Sequence, residues 1–420
     1  MDSAKQADES KKGHEKPRSA KDRFGGAIFV VGSLLVALVA EFLLPRLIED
    51  SSVRNILMTI CCNAVVALSL NVINGMAGQF SIGHAGFMAL GAYTAALIVS
   101  AMHTSFGGGT LPPTSFDHDY LVAFGHSFAI VPVALLAGAL VAALFGLLVG
   151  LPSLRLRGDY LAIVTLGFAE ILRLSVATTR LGNDETVGEA VHAIGGPNGF
   201  FGPVFHVGSV FLSSLGGKKG YSGPDGAGVP LYAGPFWVIF ITALVALVAW
   251  RLKFSGWGRA LRALREDEIA SEAVGVDPTR YKVTSFVISA FGGGLAGALY
   301  AIMRDGNPVV QPDSFTFQTS FDAITMVIIG GSGSVTGAIL GAVFVTVTVK
   351  LIELVQHADV VQNLSSSLEA HGFSLDLNAL RMMIYAGVII ALMVLRPEGV
   401  FGEREPFFKK RMRTREGAPA

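Results

Sequence analysis

Long apolar segments recur along the chain and constrain its fold more than any other feature of the sequence. A segment needs about 20 mostly apolar residues to cross a hydrocarbon core of about 30 Å. Charged residues make up only 15% of the 420 residues, against about 25% in an average soluble domain. The sequence therefore predicts an all-α polytopic membrane protein. Ten segments have this character, the eighth being short: 24–44, 55–73, 83–102, 128–150, 160–178, 235–252, 283–303, 317–331, 336–352 and 382–395.

The distribution of Lys and Arg predicts the orientation, because basic residues favour the cytoplasmic side. Segments 1–23, 251–282 and 396–420 each contain seven basic residues, whereas 103–120 and 353–380 contain none. If the three basic segments are cytoplasmic, an even number of crossings must precede residue 251 and an even number must follow residue 282. Ten crossings satisfy both conditions. Nine, with the short eighth segment re-entrant, would place the C-terminal tail outside, so we expect about ten transmembrane helices.

These crossings divide the chain into five parts. A charged cytoplasmic tail, 1–23, precedes the first six transmembrane helices at 24–252, which include an external loop at 179–234. A cytoplasmic loop at 253–282 leads to the last four helices at 283–395 and a cytoplasmic tail at 396–420. The first apolar run is about 20 residues long and no A-x-A site follows it directly. We therefore expect an uncleaved first span rather than a secretory signal.

Two polar, glycine-rich breaks interrupt the apolar runs, at 71–86 and at 327–337. Paired breaks of this kind in the two halves of a transporter are typical of a translocation pathway built on broken helices. The alternative is that both are ordinary turns between spans at the cytoplasmic side, where the crossing count also places them. The candidate pathway residues are Gln79, Ser81, His84, Gly330, Gly331, Ser332, Gly333 and Ser334.

Ionisable residues in membrane segments are costly and usually face the bundle interior. Glu170 and Arg173 are spaced i,i+3 and can form a structural ion pair. Asp322 lies in the short segment, and we expect it in the protein interior or at the outer interface. A secondary transporter driven by an ion gradient would need an essential carboxylate here, for which Glu170 and Asp322 are the candidates. His84 has no second ligand at metal-binding spacing, so no metal site is predicted.

The cytoplasmic loop contains a segment rich in strong helix formers, 260–274, with Gly275 suited to end a helix. Leu261, Leu264 and Ile269 form its irregular apolar side. Such a helix could be a docking ridge for a partner or could lie on lipid headgroups. The acidic residues that follow Arg265 weaken the lipid interpretation.

Catalytic motifs are absent from the sequence. There is no G-x-x-x-x-G-K-[ST] loop, G-x-S-x-G elbow, zinc box or dinucleotide fingerprint. We therefore expect a transport protein that binds no cofactor or metal of its own, so that any ATP and Mg²⁺ would be used by another chain. The formal net charge of zero suggests no nucleic-acid partner.

Six segments, taken in order, carry a family resemblance. They read GMAGQFSIGHAGFMALGAY at 75–93, RGDYLAIVTLGFAEILR at 157–173, GGPNG at 195–199, RALREDEIASEAVG at 262–275, IIGGSGSVTG at 328–337 and RPEGVFG at 396–402. The chain resembles the permeases of high-affinity branched-chain amino-acid ABC importers, specifically those of the LivM type.

The resemblance implies a type II-like ABC importer permease in the bacterial inner membrane. It implies a sister permease of the LivH type, two cytoplasmic ATPases and a periplasmic binding protein that delivers leucine, isoleucine, valine or related amino acids. Urea and short-amide permeases look similar over the same motifs and are the alternative. The resemblance assigns ATPase coupling to seven residues: Glu266, Asp267, Glu268, Ser271, Glu272, Ala273 and Gly275. Ser271 departs from the family pattern, in which alanine is usual at this position.

Overall fold

The computed structural model describes residues 20–105, 118–153, 159–178, 200, 229–304, 306, 310–356 and five residues between 386 and 394. Within them the extended pairing is limited to two isolated β-bridges, Phe200 with Val310 and Ala233 with Met303. Seven of the described helices are long and apolar enough to cross a membrane, and two shorter apolar helices follow them. The predicted all-α polytopic membrane fold is thereby confirmed. Of the tenth predicted span, only residues 386, 387, 390, 391 and 394 are described, and all five are helical.

Eleven α-helices have their bounds within the described residues. A π-helical turn, Asn71–Met76, directly follows the helix Ser51–Leu70, and a 3₁₀ turn, Pro312–Phe315, precedes the helix Phe317–Gly330. The helices are α1 (Ala20–Leu47), α2 (Ser51–Leu70), α3 (His84–Ser105), α4 (His118–Ser153), α5 (Asp159–Ala177), α6 (Pro235–Lys253), α7 (Gly256–Glu266), α8 (Glu268–Ala273), α9 (Pro278–Ile302), α10 (Phe317–Gly330) and α11 (Val335–Gln356). We call the end of the bundle that carries α7 and α8 the loop end.

Helix α9 forms the centre of the bundle and packs against α2, α3 and α4. Its glycines allow this packing because a side chain on them would overlap a neighbouring backbone. A Cβ on Gly294 would meet Ala142 Cβ and the Gly138 carbonyl oxygen in α4, and one on Gly297 would meet the backbone of Met88 in α3. Close backbone approach through small residues is the usual basis of helix association in membranes, where packing replaces the hydrophobic effect.

Helix α3 begins inside the bundle rather than at its end. His84, its first residue, lies level with Ser69 of α2, since His84 Nε2 and Ser69 Oγ are 2.8 Å apart. Ser69 precedes Met76 by seven residues, or about 10 Å at 1.5 Å per residue. The non-helical segment 77–83 therefore returns from the loop end into the bundle before α3 starts.

The short eighth segment forms a helix, α10, that is too short to cross the membrane alone. Helix α10 has 14 residues and spans about 21 Å, less than the hydrocarbon core of about 30 Å. The Ser320 hydroxyl oxygen accepts a hydrogen bond from the Ala85 N–H at 3.0 Å, so α10 starts near the level of the first turn of α3. Gly293 of α9 contacts His84, the first residue of α3. Ile302, the last residue of α9, follows Gly293 by nine residues and therefore lies about 13 Å farther from the loop end than His84 does. The chain after α9 therefore re-enters the bundle, and α10 completes the path to the loop end.

The predicted single helix over 260–274 is instead two helices. Asp267 has extended backbone angles (φ −153°, ψ 111°) and separates α7 from α8. Its Oδ1 accepts a hydrogen bond from the Ala270 N–H at 3.0 Å, which makes it the N-cap of α8. The break redirects the apolar side of the segment. Of the three residues predicted to share one apolar side, Leu261 and Leu264 are buried, but Ile269 is 81% exposed.

Candidate functional site

The two glycine-rich breaks meet at one place, which we call the junction: residues 71–84 together with 330–334. Asn71, the first residue of the π turn, is fully buried there. Its Oδ1 accepts from the Gly333 N–H at 2.7 Å, and its Nδ2 donates to the Ser334 carbonyl at 3.0 Å. Buried polar groups need hydrogen-bond partners. One side-chain amide thus satisfies two backbone groups of the turn between α10 and α11 and holds that turn against α2.

Glycine is required at the junction for two different reasons. Gly331 and Gly333 have φ values of 108° and 85°, a left-handed region that other residues rarely adopt. Gly75 instead lacks space, since a Cβ there would overlap Asn71 Oδ1 and the Gly333 nitrogen. The glycines therefore allow the π turn and the 331–334 turn to lie in direct contact.

Arg265 of α7 connects the loop to the junction. Its Nη1 donates to the Gly75 carbonyl at 2.6 Å, a charge-assisted hydrogen bond. Its aliphatic stem packs beside Gly78, which has a φ of 66° and where a Cβ would overlap Arg265 Cγ. A displacement of α7 can therefore reach the helix break through one side chain.

The extended segment 77–83 is positioned by short polar contacts. The Ser81 N–H donates to Asn74 Oδ1 and the Ile82 N–H donates to Thr165 Oγ1, each at 3.2 Å. Gly83 lies against the Thr165 backbone so closely that a Cβ would overlap it. Contacts with both α5 and the π turn thus fix the path of the chain before α3.

Seven of the eight sequence-predicted pathway residues are buried within the chain, and Ser332 is exposed. His84 lies between helices, hydrogen-bonded to Ser69 and packed against Gly293 of α9. The exposed residues of the first break are its neighbours Gly78 and Phe80. The structure thus places the predicted residues in two breaks that meet through Asn71 and Gly75, and their role as pathway residues stays a prediction.

Gln79 differs from its neighbours in the junction. Its side chain is only 8% exposed, and no donor in the described part of the chain reaches its Oε1. Its backbone N–H donates to the Ile73 carbonyl at 3.0 Å, which fixes the residue in place. A buried amide oxygen in this situation can accept a hydrogen bond from a bound molecule. In the described residues no three His, Cys, Asp or Glu side chains come together as metal ligands would.

Helix α8 has only six residues and is fixed at both ends. The Gly275 N–H donates to the Glu272 carbonyl at 2.9 Å and the Val276 N–H to the Ser271 carbonyl at 3.1 Å. With Gly275 at φ 90°, these bonds form a Schellman motif. Lys282 Nζ of α9 lies 2.7 Å from Glu268 Oε2 at the other end. The helix is therefore held firmly on the surface of the bundle.

The outer side of α8 combines apolar and acidic residues. Ile269 and Val274 are 81% and 80% exposed, and Glu272 is exposed between them. Exposed large apolar side chains on a rigid element indicate an interaction surface. Among the seven predicted coupling residues Ser271 is buried, Glu268 is half-buried, and the others are exposed: Glu266, Asp267, Glu272, Ala273 and Gly275.

The ionisable residues singled out in the sequence have partners. Arg173 Nε lies 2.9 Å from Glu170 Oε2, as the i,i+3 spacing predicts, and its Nη1 lies 3.3 Å from Asp313 Oδ1. Asp322 is half-buried, and its Oδ1 accepts from Gln318 Nε2 at 3.4 Å. Both predicted carboxylates are therefore engaged within the chain.

A buried ion pair was missed by the sequence reasoning. Arg304 Nη1 lies 3.0 Å from Glu41 Oε1, with the Glu41 side chain fully buried. Glu41 Oε2 also accepts from the Phe236 N–H at 2.8 Å, so the pair joins α1, α6 and the end of α9. The available signal was a carboxylate inside the first apolar run and an arginine directly after the seventh.

Comparison with known proteins identifies the family. A family model described as "Branched-chain amino acid transport system / permease component" matches residues 52–393, a range that includes the junction, α7 and α8. The chain belongs to this permease family. The resemblance seen in the sequence motifs is thereby confirmed.

Individual relatives agree with the family model. The chain is 33% identical over 395 residues to the high-affinity branched-chain amino acid transport system permease protein LivM of Salmonella typhimurium and to LivM of Escherichia coli K12. Each alignment covers 91% of this chain and 76% of the relative. It is also 29% identical over 126 residues to LivH of Escherichia coli K12, covering 29% of this chain and 38% of LivH. No solved structure matches the chain.

Proposed function

We propose that this chain is the membrane-spanning permease subunit of an ATP-driven importer of leucine, isoleucine, valine or related amino acids. The observation that carries the proposal is the family match over residues 52–393, which includes both glycine-rich breaks and the loop that contacts them. The relatives named for branched-chain amino acid transport support the substrate class. The urea and short-amide alternative is tested by the uptake experiment below.

The partners follow from the family and from the surfaces of the chain. We assign the loop end to the cytoplasm, together with both termini, in a bacterial inner membrane. Two cytoplasmic ATPases would bind and hydrolyse ATP–Mg²⁺, and one of them would dock on α8 through Ile269 and Val274, which are exposed. A sister permease related to LivH would complete the pathway, and a periplasmic binding protein would deliver the substrate.

Arg265 connects the loop that would contact the ATPase to the two helix breaks. When ATP binding closes the two ATPases, α7 and α8 move with the docked subunit. The hydrogen bond from Arg265 to the Gly75 carbonyl transfers that movement to the π turn. Asn71 then passes it to the 331–334 turn through its two backbone contacts. ATP shifts the equilibrium between inward-open and outward-open states only because the ATPases bind these states with different affinity.

The junction supplies this chain's side of the pathway. Phe80 is 44% exposed and Ser332 is exposed, so both can face a sister subunit and a passing substrate. Gln79 offers its Oε1 as an acceptor for an ammonium group. Buried Ser81, His84, Gly330, Gly331, Gly333 and Ser334 hold the breaks in shape behind these residues. The binding protein would bind the amino acid first, so the permease needs to hold it only weakly.

Uptake of radiolabelled leucine and of urea tests the proposal. Cells with and without this chain are compared, with the ATPases and the binding protein present in both. We expect leucine uptake to depend on the chain and urea uptake to be unchanged. Loss of urea uptake alone would keep the permease architecture and overturn the substrate class. Equal uptake of both compounds with and without the chain would overturn the proposal as a whole.

A further inference from the structure

A cleft lies between α3, α5 and the segment at 310–315, away from the junction. Its volume is about 140 Å³ and its walls are mainly apolar. Tyr93 Oη donates to the Val310 carbonyl at 3.2 Å, which holds the segment in place as one wall. The wall residues that matter here are Leu97, Leu172, Arg173, Val176, Phe200 and Phe315.

One wall of this apolar cleft carries charge. Arg173 lines the cleft, and its guanidinium contacts both Glu170 and Asp313. The Arg173 side chain is 22% exposed, whereas Asp313 is 75% exposed. Ionisable groups within a membrane helix usually face the protein interior or a hydrated cavity. The cleft therefore combines an aliphatic surface with one cationic group in its wall, Arg173, and the exposed carboxylate of Asp313 lies beside it, 3.3 Å from the guanidinium.

The size of the cleft selects a small aliphatic group. A cavity of about 150 Å³ lined by Leu, Ile and Phe is large enough to hold benzene. The four-carbon side chain of leucine or isoleucine is smaller than benzene and fits the same volume. A free amino acid also carries a carboxylate and an ammonium, which complement Arg173 and Asp313.

The cleft lies farther from the loop end than the junction does. Tyr93 follows His84 by nine residues, and Arg173 follows Thr165, a contact of Gly83, by eight. At 1.5 Å per residue both lie about 12–13 Å beyond the start of α3. In the proposed orientation this is the outer side, from which the substrate arrives.

We propose that this cleft is an outer binding site for a branched-chain amino acid on its way to the junction. The aliphatic side chain would enter the cleft, the carboxylate would pair with Arg173 and the ammonium would pair with Asp313. The inference rests on the proposed function, because it takes the substrate class from there. It adds a site on the outer side, built from α3 and α5.

Photolabelling locates the site directly. The complete transporter is purified with its partners and irradiated with a diazirine analogue of leucine, and the labelled peptides are identified by mass spectrometry. We expect label in 89–97 or 172–176, reduced at least fivefold by excess leucine and unaffected by urea. Absence of label from both segments, or label that leucine does not displace, would overturn the inference.

Matched variants separate this inference from the proposed function. Val176→Trp fills the cleft from a half-buried wall position, and Leu174→Trp places the same side chain at an exposed position of α5 outside the cleft. At equal membrane abundance, we expect Val176→Trp to lose both the label and about tenfold in leucine uptake, with Leu174→Trp close to the wild type. Arg173→Gln should lose uptake and Arg173→Lys should retain part of it.

Two failures are then distinguishable. If the wild-type transporter takes up leucine and Val176→Trp matches Leu174→Trp in label and uptake, the cleft is not the site and the proposed function stands. If the wild-type transporter takes up no leucine, the proposed function itself fails, and this inference fails with it.

Discussion

Arg265 Nη1 and the Gly75 carbonyl oxygen are 2.6 Å apart although the two residues are 190 positions apart in the chain. Arg265 lies on the surface helix α7, and Gly75 lies in the π turn at the end of a membrane-spanning helix. The contact therefore links the helix next to the proposed ATPase-docking helix α8 with the break that would line the pathway. Coupling between ATP hydrolysis and transport can therefore be tested with single substitutions at this contact.

Replacing Arg265 with Ala should uncouple transport from ATP hydrolysis. The substitution removes a hydrogen bond from a charged donor, worth about 1.5–3 kcal/mol, without changing the surface of α8. We expect leucine uptake to fall about tenfold while the complete transporter retains ATPase activity. Arg259→Ala is the matched control, because Arg259 is exposed on the same helix and contacts only local backbone among the described hydrogen bonds. Equal uptake in the two variants would exclude the Arg265 contact as the route.

Asn71→Ala should destabilise the junction. The change leaves the Gly333 N–H and the Ser334 carbonyl without their side-chain partner in a buried site, at about 1–3 kcal/mol for each group. We expect a lower thermal unfolding midpoint in detergent and reduced membrane abundance. Asn74→Ala serves for comparison, since Asn74 is half-buried and its Oδ1 accepts one hydrogen bond within the described residues, from the Ser81 N–H. An unfolding midpoint no lower than that of Asn74→Ala would contradict the role given to Asn71.

Ile269→Asp should weaken binding of the ATPase without harming the fold. Ile269 is 81% exposed, so the charged residue costs nothing in the isolated chain and costs desolvation in an apolar contact. We expect the permease to reach the membrane normally and to copurify with less than a tenth of the wild-type amount of ATPase. Thr279→Asp is the control, because Thr279 is exposed at the start of α9, beyond α8. Undiminished copurification of the ATPase with Ile269→Asp would place the docking surface elsewhere.

The Glu41–Arg304 pair should behave as a buried ion pair. Removing one partner takes away the counter-charge of the other buried side chain, which costs about 3–5 kcal/mol. We expect Glu41→Gln and Arg304→Gln each to lower the thermal unfolding midpoint strongly. The double variant Glu41→Gln/Arg304→Gln should be less destabilised than the sum of the two single variants. Strict additivity of the three measurements would mean that the two side chains do not interact in the native protein.

The membrane fold could be predicted because its signal is local and strong. Apolar runs of about 20 residues follow from the thickness of the hydrocarbon core. The short eighth segment was harder to interpret, since its 14-residue helix crosses only together with a re-entrant chain. The depth at which α10 starts depends on contacts such as that between Ser320 and Ala85, 235 residues apart.

The site was predictable in its location but not in its contacts. The glycine-rich breaks identified the junction, yet Asn71 is not among the candidate residues although it begins the first break, because its partners lie more than 260 residues away. The helix break at Asp267 was missed because the flanking residues are strong helix formers, and the N-cap hydrogen bond to Ala270 outweighs that preference. Exposure of Ile269 followed from the same break.

Leucine uptake into proteoliposomes tests whether this chain serves an ATP-driven importer. The chain is reconstituted with its sister permease, its ATPases and the binding protein, and labelled leucine is followed with ATP, without ATP and under an imposed ion gradient. We predict accumulation that requires ATP, is competed by isoleucine and valine, and is insensitive to urea. Accumulation driven by the ion gradient without ATP, or no accumulation of leucine under any condition, would contradict it.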